Sequence, residues 1–166
     1  MSARTISAAV CTAFALTLAS TSAALAYAND SDKYSQYDST CTMRGTNGND
    51  TIDASQKDQG QVICGFGGSD TIIGSSYDDI IDGGPGNDTI RGGNGNDTID
   101  GQGGNDDIDG QGGNDILDGR PGDDIIIGGL GKDTIDGGNG NDTCTGGSAL
   151  GNANDDPLDS VTNCER

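Results

Sequence analysis

The chain of 166 residues has no histidine, no tryptophan, one glutamate (Glu165) and only 4% aromatic residues. Each absence excludes a class of chemistry. Without histidine there is no Ser-His-Asp or Cys-His arrangement and no H-E-x-x-H zinc site. Without glutamate before residue 165, no EF-hand loop finds the bidentate ligand it needs at its twelfth position. A G-x-G-x-x-G placed on this sequence needs glycine where aspartate or a strand residue stands, and no G-x-x-x-x-G-K-[ST] occurs, so nucleotide-binding loops are excluded. Large apolar side chains are scarce, and a conventional core needs many of them to offset chain entropy. What is present instead is glycine, 30 residues, and aspartate, with a net charge of -19. Such a composition ordinarily marks disorder, so something other than apolar burial must hold the chain together. The acidic balance argues against nucleic acid as a partner.

The first residues supply a context. Arg4 precedes an apolar stretch from Ile6 to Ala19, and Ala24-Leu25-Ala26 and Ala26-Tyr27-Ala28 are two Ala-x-Ala motifs. This pattern reads as a cleaved export signal over residues 1–28. The apolar run is short for a membrane span, and no membrane association is expected after cleavage. Cys11 comes too early, behind Val10, for a lipoprotein anchor. Cleavage removes Arg4 and no acid, leaving 7 basic against 27 acidic residues and a charge of -20. It also leaves Cys41, Cys64, Cys144 and Cys164. An even count in an exported chain reads as two disulfides. Three pairings exist, and position along the chain favours Cys41–Cys64 and Cys144–Cys164. A zinc site built from all four cysteines is the alternative, without a close Cys-x-x-Cys pair to support it.

Self-comparison gives the organisation. From Gly65 the sequence reads GFGGSDTII, GSSYDDIID, GGPGNDTIR, GGNGNDTID, GQGGNDDID, GQGGNDILD, GRPGDDIII, GGLGKDTID and GGNGNDTCT, nine uninterrupted blocks ending at Thr145. Position 1 is always glycine, position 6 always aspartate, and position 4 glycine except at Tyr77. Position 8 is aliphatic until Cys144. A separate block, GTNGNDTID, spans Gly45 to Asp53 and is followed by an irregular stretch from Ala54 to Cys64. Glycines at positions 1, 2 and 4 are expected to permit positive φ and to leave carbonyl oxygens open. The aspartate adds hard anionic oxygens, and an oxygen-only cage with flexible geometry suits Ca²⁺ better than Mg²⁺. Positions 7 to 9 read as a very short strand whose position 8 faces one way and whose positions 7 and 9 face the other.

The pattern G-G-x-G-x-D-x-U-x resembles the RTX nonapeptide repeat, over nearly all of Gly45 to Thr145. The resemblance implies an all-β, right-handed parallel β-roll in which six residues turn, three form a strand and two repeats make one coil. Calcium then sits between turns stacked on the same side. The implied ligands are the carboxylates of Asp50, Asp70, Asp79, Asp88, Asp97, Asp106, Asp115, Asp124, Asp133 and Asp142. They are joined by the turn glycines Gly65, Gly67, Gly83, Gly84, Gly86, Gly92, Gly93, Gly95, Gly101, Gly104, Gly110, Gly113, Gly119, Gly122, Gly128, Gly129, Gly131, Gly137, Gly138 and Gly140. Five turns on one side (from Gly65, Gly83, Gly101, Gly119 and Gly137) and four on the other (from Gly74, Gly92, Gly110 and Gly128) enclose about seven calcium sites on this stacking scheme. The block with Ser75 and Tyr77 departs from the pattern.

Without ions, carboxylates stacked at the strand spacing of about 4.8 Å repel by about 1 kcal/mol per neighbouring pair even in water. The core available to resist this is Ile72, Ile81, Ile90, Ile99, Ile108, Leu117, Ile126 and Ile135. The expectation is a disordered calcium-free chain that folds as it binds the metal. The remaining signals are bland. Four Asn-Asp-Thr sequons, at Asn49, Asn87, Asn96 and Asn141, are explained by the repeat. Carboxylate pairs alone do not make a glycosidase when a narrow roll offers no cleft, and no enzyme is expected. Position 9 on the second side, Asp82, Asp100, Asp118 and Asp136, forms an outward acidic ladder on this reading. It gives the alternative function, an adhesion module meeting a cell-wall or matrix polymer. Ile73, Ile125 and Ile127 are expected to be exposed on the first side. The organisation expected is thus signal 1–28, lead-in 29–44, roll 45–145 and cap 146–166, in a secreted monomer. It resembles the small stand-alone calcium-binding repeat proteins of actinobacteria, without a toxin or protease domain.

Overall fold

A computed structural model describes residues 40–147 and 159–165, all within the unit Tyr34–Arg166. The expected signal, its two cleavage motifs, most of the lead-in and residues 148–158 of the expected cap lie outside the described residues.

Among the described residues every regular element is a strand. In chain order they are β1 (Met43–Arg44), β2 (Thr51–Asp53), β3 (Val62–Cys64), β4 (Thr71–Ile73), β5 (Ile80–Asp82), β6 (Thr89–Asn94) and β7 (Thr98–Asp100). There follow β8 (Asp107–Gly112), β9 (Ile116–Asp118), β10 (Ile125–Leu130), β11 (Thr134–Asp136), β12 (Thr143–Gly147) and β13 (Ser160–Thr162). The odd strands form a seven-stranded sheet in the order β1-β3-β5-β7-β9-β11-β13, and the even strands a six-stranded sheet in the order β12-β10-β8-β6-β4-β2. All pairings are parallel, and partners along most of the stack are 18 residues apart, as in Ile90↔Ile108 and Ile99↔Leu117. The fold is a parallel β-roll in which each pair of nonapeptides adds one rung to both sheets.

Strands this short follow from the sequence, because a glycine-aspartate turn interrupts the chain every nine residues. The period-2 rule then leaves one inward side chain per strand. Those side chains make a single column, Ile72, Ile81, Ile90, Ile99, Ile108, Leu117, Ile126 and Ile135, each at most 1% exposed. Ile52 and Ile63 extend it toward the N-terminus. Ile125 and Ile127 stand exposed on β10, whereas Ile73 is only half-buried.

The first coil is two residues longer, with Met43↔Ile63 and Ile52↔Ile72 in register. The stretch Ala54 to Cys64, irregular by eye, makes this longer turn and then supplies β3, with Ile63 beneath Ile81. Gln61 takes the place of the aspartate. The flanks do the same. β1 pairs with β3, β13 pairs with β11, and Glu165 bridges to Thr143. Disulfides Cys41–Cys64 and Cys144–Cys164 tie these end rungs to their neighbours, with Cα atoms 6.0 and 5.8 Å apart.

Candidate metal centre

The position-6 aspartates are buried in two columns, one on each side of the roll. Each leans back by one coil. On the first side, Oδ1 of Asp70, Asp88, Asp106, Asp124 and Asp142 accepts the N–H of Asp50, Asp70, Asp88, Asp106 and Asp124 at 2.8–2.9 Å. On the second side, Oδ1 of Asp79, Asp97, Asp115, Asp133 and Asp159 accepts the N–H of Gln61, Asp79, Asp97, Asp115 and Asp133 at 2.5–2.9 Å. One carboxylate oxygen therefore locks the coil register.

The other oxygen is left bare. Oδ2 of Asp70, Asp88, Asp97, Asp106, Asp115, Asp124, Asp142 and Asp159 is buried and accepts no hydrogen bond. A buried anionic oxygen without a donor carries a large desolvation penalty, and here it is repeated down both columns. Burial accordingly pushes the carboxyl of Asp106 up to about 8 and that of Asp97 up to about 7. It raises Asp88, Asp115 and Asp124 to about 6. The backbone N–H one coil back offsets part of this, and carboxylates in adjacent coils add to it.

Carbonyl oxygens gather at the same points. A Cβ on Gly101 would stand 2.5 Å from Asp106 Oδ2 and 3.2 Å from the carbonyl oxygen of Gly119 in the next coil. Gly110 and Gly119 repeat this geometry with Asp115 and Gly128, and with Asp124 and Gly137. Position 1 is thus glycine because carboxylate and carbonyl converge on its Cα. The expected positive φ is found at positions 2 and 4, as at Gly84 (+92°), and not at position 1. The donors are all oxygen, and the four described cysteines are tied up in disulfides. That set fits a hard cation that accepts six to eight oxygens in loose geometry, which is Ca²⁺.

Position 9 has a role that the sequence did not reveal. Gln102, Gln111 and Arg120 hold φ of +72°, +73° and +73° at position 2. Their N–H groups each donate at 3.1 Å to Oδ1 of the aspartate two residues back, Asp100, Asp109 and Asp118. The acidic ladder expected to face outward is therefore partly covered, its carboxylates folded back onto the turn and, at Asp100 and Asp118, capped by Arg120. Asp100 is only 5% exposed. Arg120 spans two rungs, with Nη2 2.8 Å from Asp100 Oδ2 and Nε 3.0 Å from Asp118 Oδ2. Asp136 accepts from Gly138 and from Asn163 Nδ2. Burial and the neighbouring Asp100 raise Asp82 to about 7.

Two turns close themselves. Asp79 Oδ2 accepts the N–H of Ser75 at 2.5 Å, and the Ser75 hydroxyl lies 3.1 Å from Asp79 Oδ1. Asp50 Oδ2 accepts the N–H and hydroxyl of Thr46 at 2.6 and 2.8 Å. Asp159 went unnoticed in the sequence, although Asp159-Ser160-Val161-Thr162 repeats the end of a block. Position 5 forms a further ladder, in which Oδ1 of Asn49, Asn87 and Asn96 accepts the N–H of Ser69, Asn105 and Asn114. Three of the four sequons are engaged this way.

Comparison with known proteins gives one match. The family model of the RTX calcium-binding nonapeptide repeat fits four times, over residues 42–56, 65–99, 82–117 and 118–149, together more than half of the chain. No curated protein and no solved structure matches the chain.

Proposed function

Because the chain belongs to the RTX calcium-binding nonapeptide repeat family and is a calcium-binding repeat protein, we propose that it is exported and that calcium completes its fold outside the cell. The ions lie in the gaps between stacked turns, about seven in all, held by position-6 carboxylates and the converging turn carbonyls. The observation that carries this reading is the double column of buried, bare Oδ2 atoms. Ca²⁺ supplies the positive charge that those oxygens lack, and its binding energy becomes folding energy. Two disulfides suit an oxidising compartment, where millimolar calcium makes modest affinity sufficient. The protein works as a monomeric structural module and not as an enzyme.

Far-UV circular dichroism of the chain without residues 1–28, titrated with CaCl₂ and with MgCl₂, tests this. A coil-to-β transition driven by calcium and not by magnesium is expected. A β signal that survives an excess of chelator at neutral pH would reduce calcium to a passenger.

A further inference from the structure

The nine regular turns share one register, yet their second residues differ in conformation. Eight of them hold positive φ, from +72° at Phe66 and Gln102 to +115° at Gly93. Ser75 does not, and neither does Thr46 in the separate first block. These are also the two turns whose Asp Oδ2 is satisfied from within the turn. We infer that the residue at position 2 decides whether a turn takes calcium, and that Ser75 keeps the gap between the Gly74 and Gly92 turns free of the ion. This rests on the calcium reading above and withdraws one of its gaps.

Reversing the sign of φ swings the peptide plane between positions 1 and 2, so that N–H and C=O exchange directions. With negative φ, the N–H of Ser75 points at Asp79 Oδ2. A cation seated there would meet a partial positive charge and an oxygen already in use. The Ser75 hydroxyl fixes this arrangement, accepting the N–H of Tyr77 at 3.1 Å while facing Asp79 Oδ1 at 3.1 Å. With the N–H of Gln61, three donors now surround Asp79. Ser75 is 4% exposed, so water competes little for these bonds. Tyr77 supports the same state, because position 4 takes the positive φ that suits glycine in seven of the other eight turns, as at Gly95 (+117°), Gly122 being the exception. Thr46 is an independent second instance, its hydroxyl accepting the N–H of Gly48 while its own N–H reaches Asp50. Both hydroxyls sit at the N-terminal end of their columns, where no complete metal-binding turn precedes them.

The test is a count of bound ions by native mass spectrometry of the full, oxidised chain in calcium. Ser75→Gly combined with Tyr77→Gly should bind one ion more than the wild type. Gln102→Ser, which installs the hydroxyl in a central turn that already carries a side chain, should bind one fewer, and Gln102→Ala should keep the wild-type count. The serine variant tests the idea even where the double glycine variant fails to fold. Unchanged counts in both directions would overturn the role of position 2 while leaving calcium binding intact. A wild type that binds no calcium would overturn the calcium reading itself, and this inference with it.

Discussion

The N-terminal coils and the central coils share one backbone register and one isoleucine column, but they solve the problem of stacked carboxylates differently. At the N-terminal end Gln61 replaces an aspartate, Thr46 and Ser75 close two others, and a disulfide ties Cys41 to Cys64. In the centre Asp88, Asp97, Asp106, Asp115 and Asp124 each keep a bare oxygen, and burial raises all five. The core is common to both, so the difference lies in the turns. The roll therefore has an end whose carboxylates are satisfied by its own hydrogen bonds and a middle whose carboxylates each keep a buried oxygen without a donor.

The largest effect that would break this comparison is titration of the middle without metal. An unfolded aspartate has its carboxyl near 3.8, whereas Asp106 in the calcium-free fold is held at about 8 and Asp97 at about 7. Between those values the folded chain binds more protons than the unfolded chain, so stability falls as pH rises from about 4 to about 8. In chelator, acidification from pH 8 to pH 4.5 should restore β signal and cooperative melting. A circular dichroism signal that is flat across this window, or that declines toward acid, would show that the bare carboxylates do not limit the calcium-free fold.

The next effect acts on the other region. Replacing Cys41 and Cys64 with serine opens a link between residues 23 apart, worth about 3 kcal/mol by chain entropy. Because two turns at this end already satisfy their own carboxylates, added calcium should not compensate. The loss is expected at saturating calcium, read as a lower midpoint in denaturant. Full recovery by calcium would mean that the ions stabilise the N-terminal coil as strongly as the centre.

How much of this could be read in the sequence follows from what the period records. The isoleucine column and the position-6 aspartates recur every nine residues, because one inward side chain and one carboxylate per turn are all the fold requires of each repeat. The pairing of the cysteines was also legible, since each pair lies at one end of the array. Gln61-Val62-Ile63-Cys64 escaped notice because the turn before it has two extra residues and no position-1 glycine in frame. Cys41-Thr42-Met43-Arg44 and Asp159-Ser160-Val161-Thr162 escaped because only the strand half of the repeat survives there. The capping of Asp100 and Asp118 was hidden for a different reason. Alternation predicts an outward side chain at position 9, but the N–H of a residue at positive φ draws the carboxylate back. The Ser75 turn was legible as a departure from the pattern, but the peptide orientation that brings its N–H to Asp79 Oδ2 was not.

A smaller effect distinguishes the two kinds of aspartate by sign. Asp106→Asn keeps an acceptor for the N–H of Asp88 and removes a buried charge, so it should raise the melting temperature in chelator and lower it in calcium. Asp79→Asn places an amide against the N–H of Ser75 and should lower the melting temperature in both, through about 1–3 kcal/mol of lost hydrogen bonding. Scanning calorimetry of the two variants, in calcium at neutral pH and in chelator at about pH 5, where protonation restores a cooperative transition, gives the four values. The same sign for Asp106→Asn in both conditions would mean that the central carboxylates are structural acceptors like Asp79, and the contrast between end and middle would vanish.

The smallest effect separates glycines that the calcium turns need from one that they do not. A Cβ on Gly84 would overlap the Phe66 carbonyl of the coil before it, at a φ of +92° that disfavours a side chain. A Cβ on Gly103 would meet nothing within 4 Å, and its φ lies outside the positive range. Pro85 and Pro121 stand at the same position in the coils on either side, so a side chain there is already compatible with stacking. Gly103→Ala restricts the unfolded chain without disturbing the folded one, and should stabilise by about 0.4–1 kcal/mol at saturating calcium. Gly84→Ala should destabilise and shift the calcium midpoint upward, because the turn must move from +92° toward the +72° at which Phe66 and Gln102 carry side chains in the adjoining coils. Equal effects of the two substitutions in a denaturant titration would show that glycine serves flexibility throughout the turn, and that the close approach of successive coils does not set where calcium-binding oxygens gather.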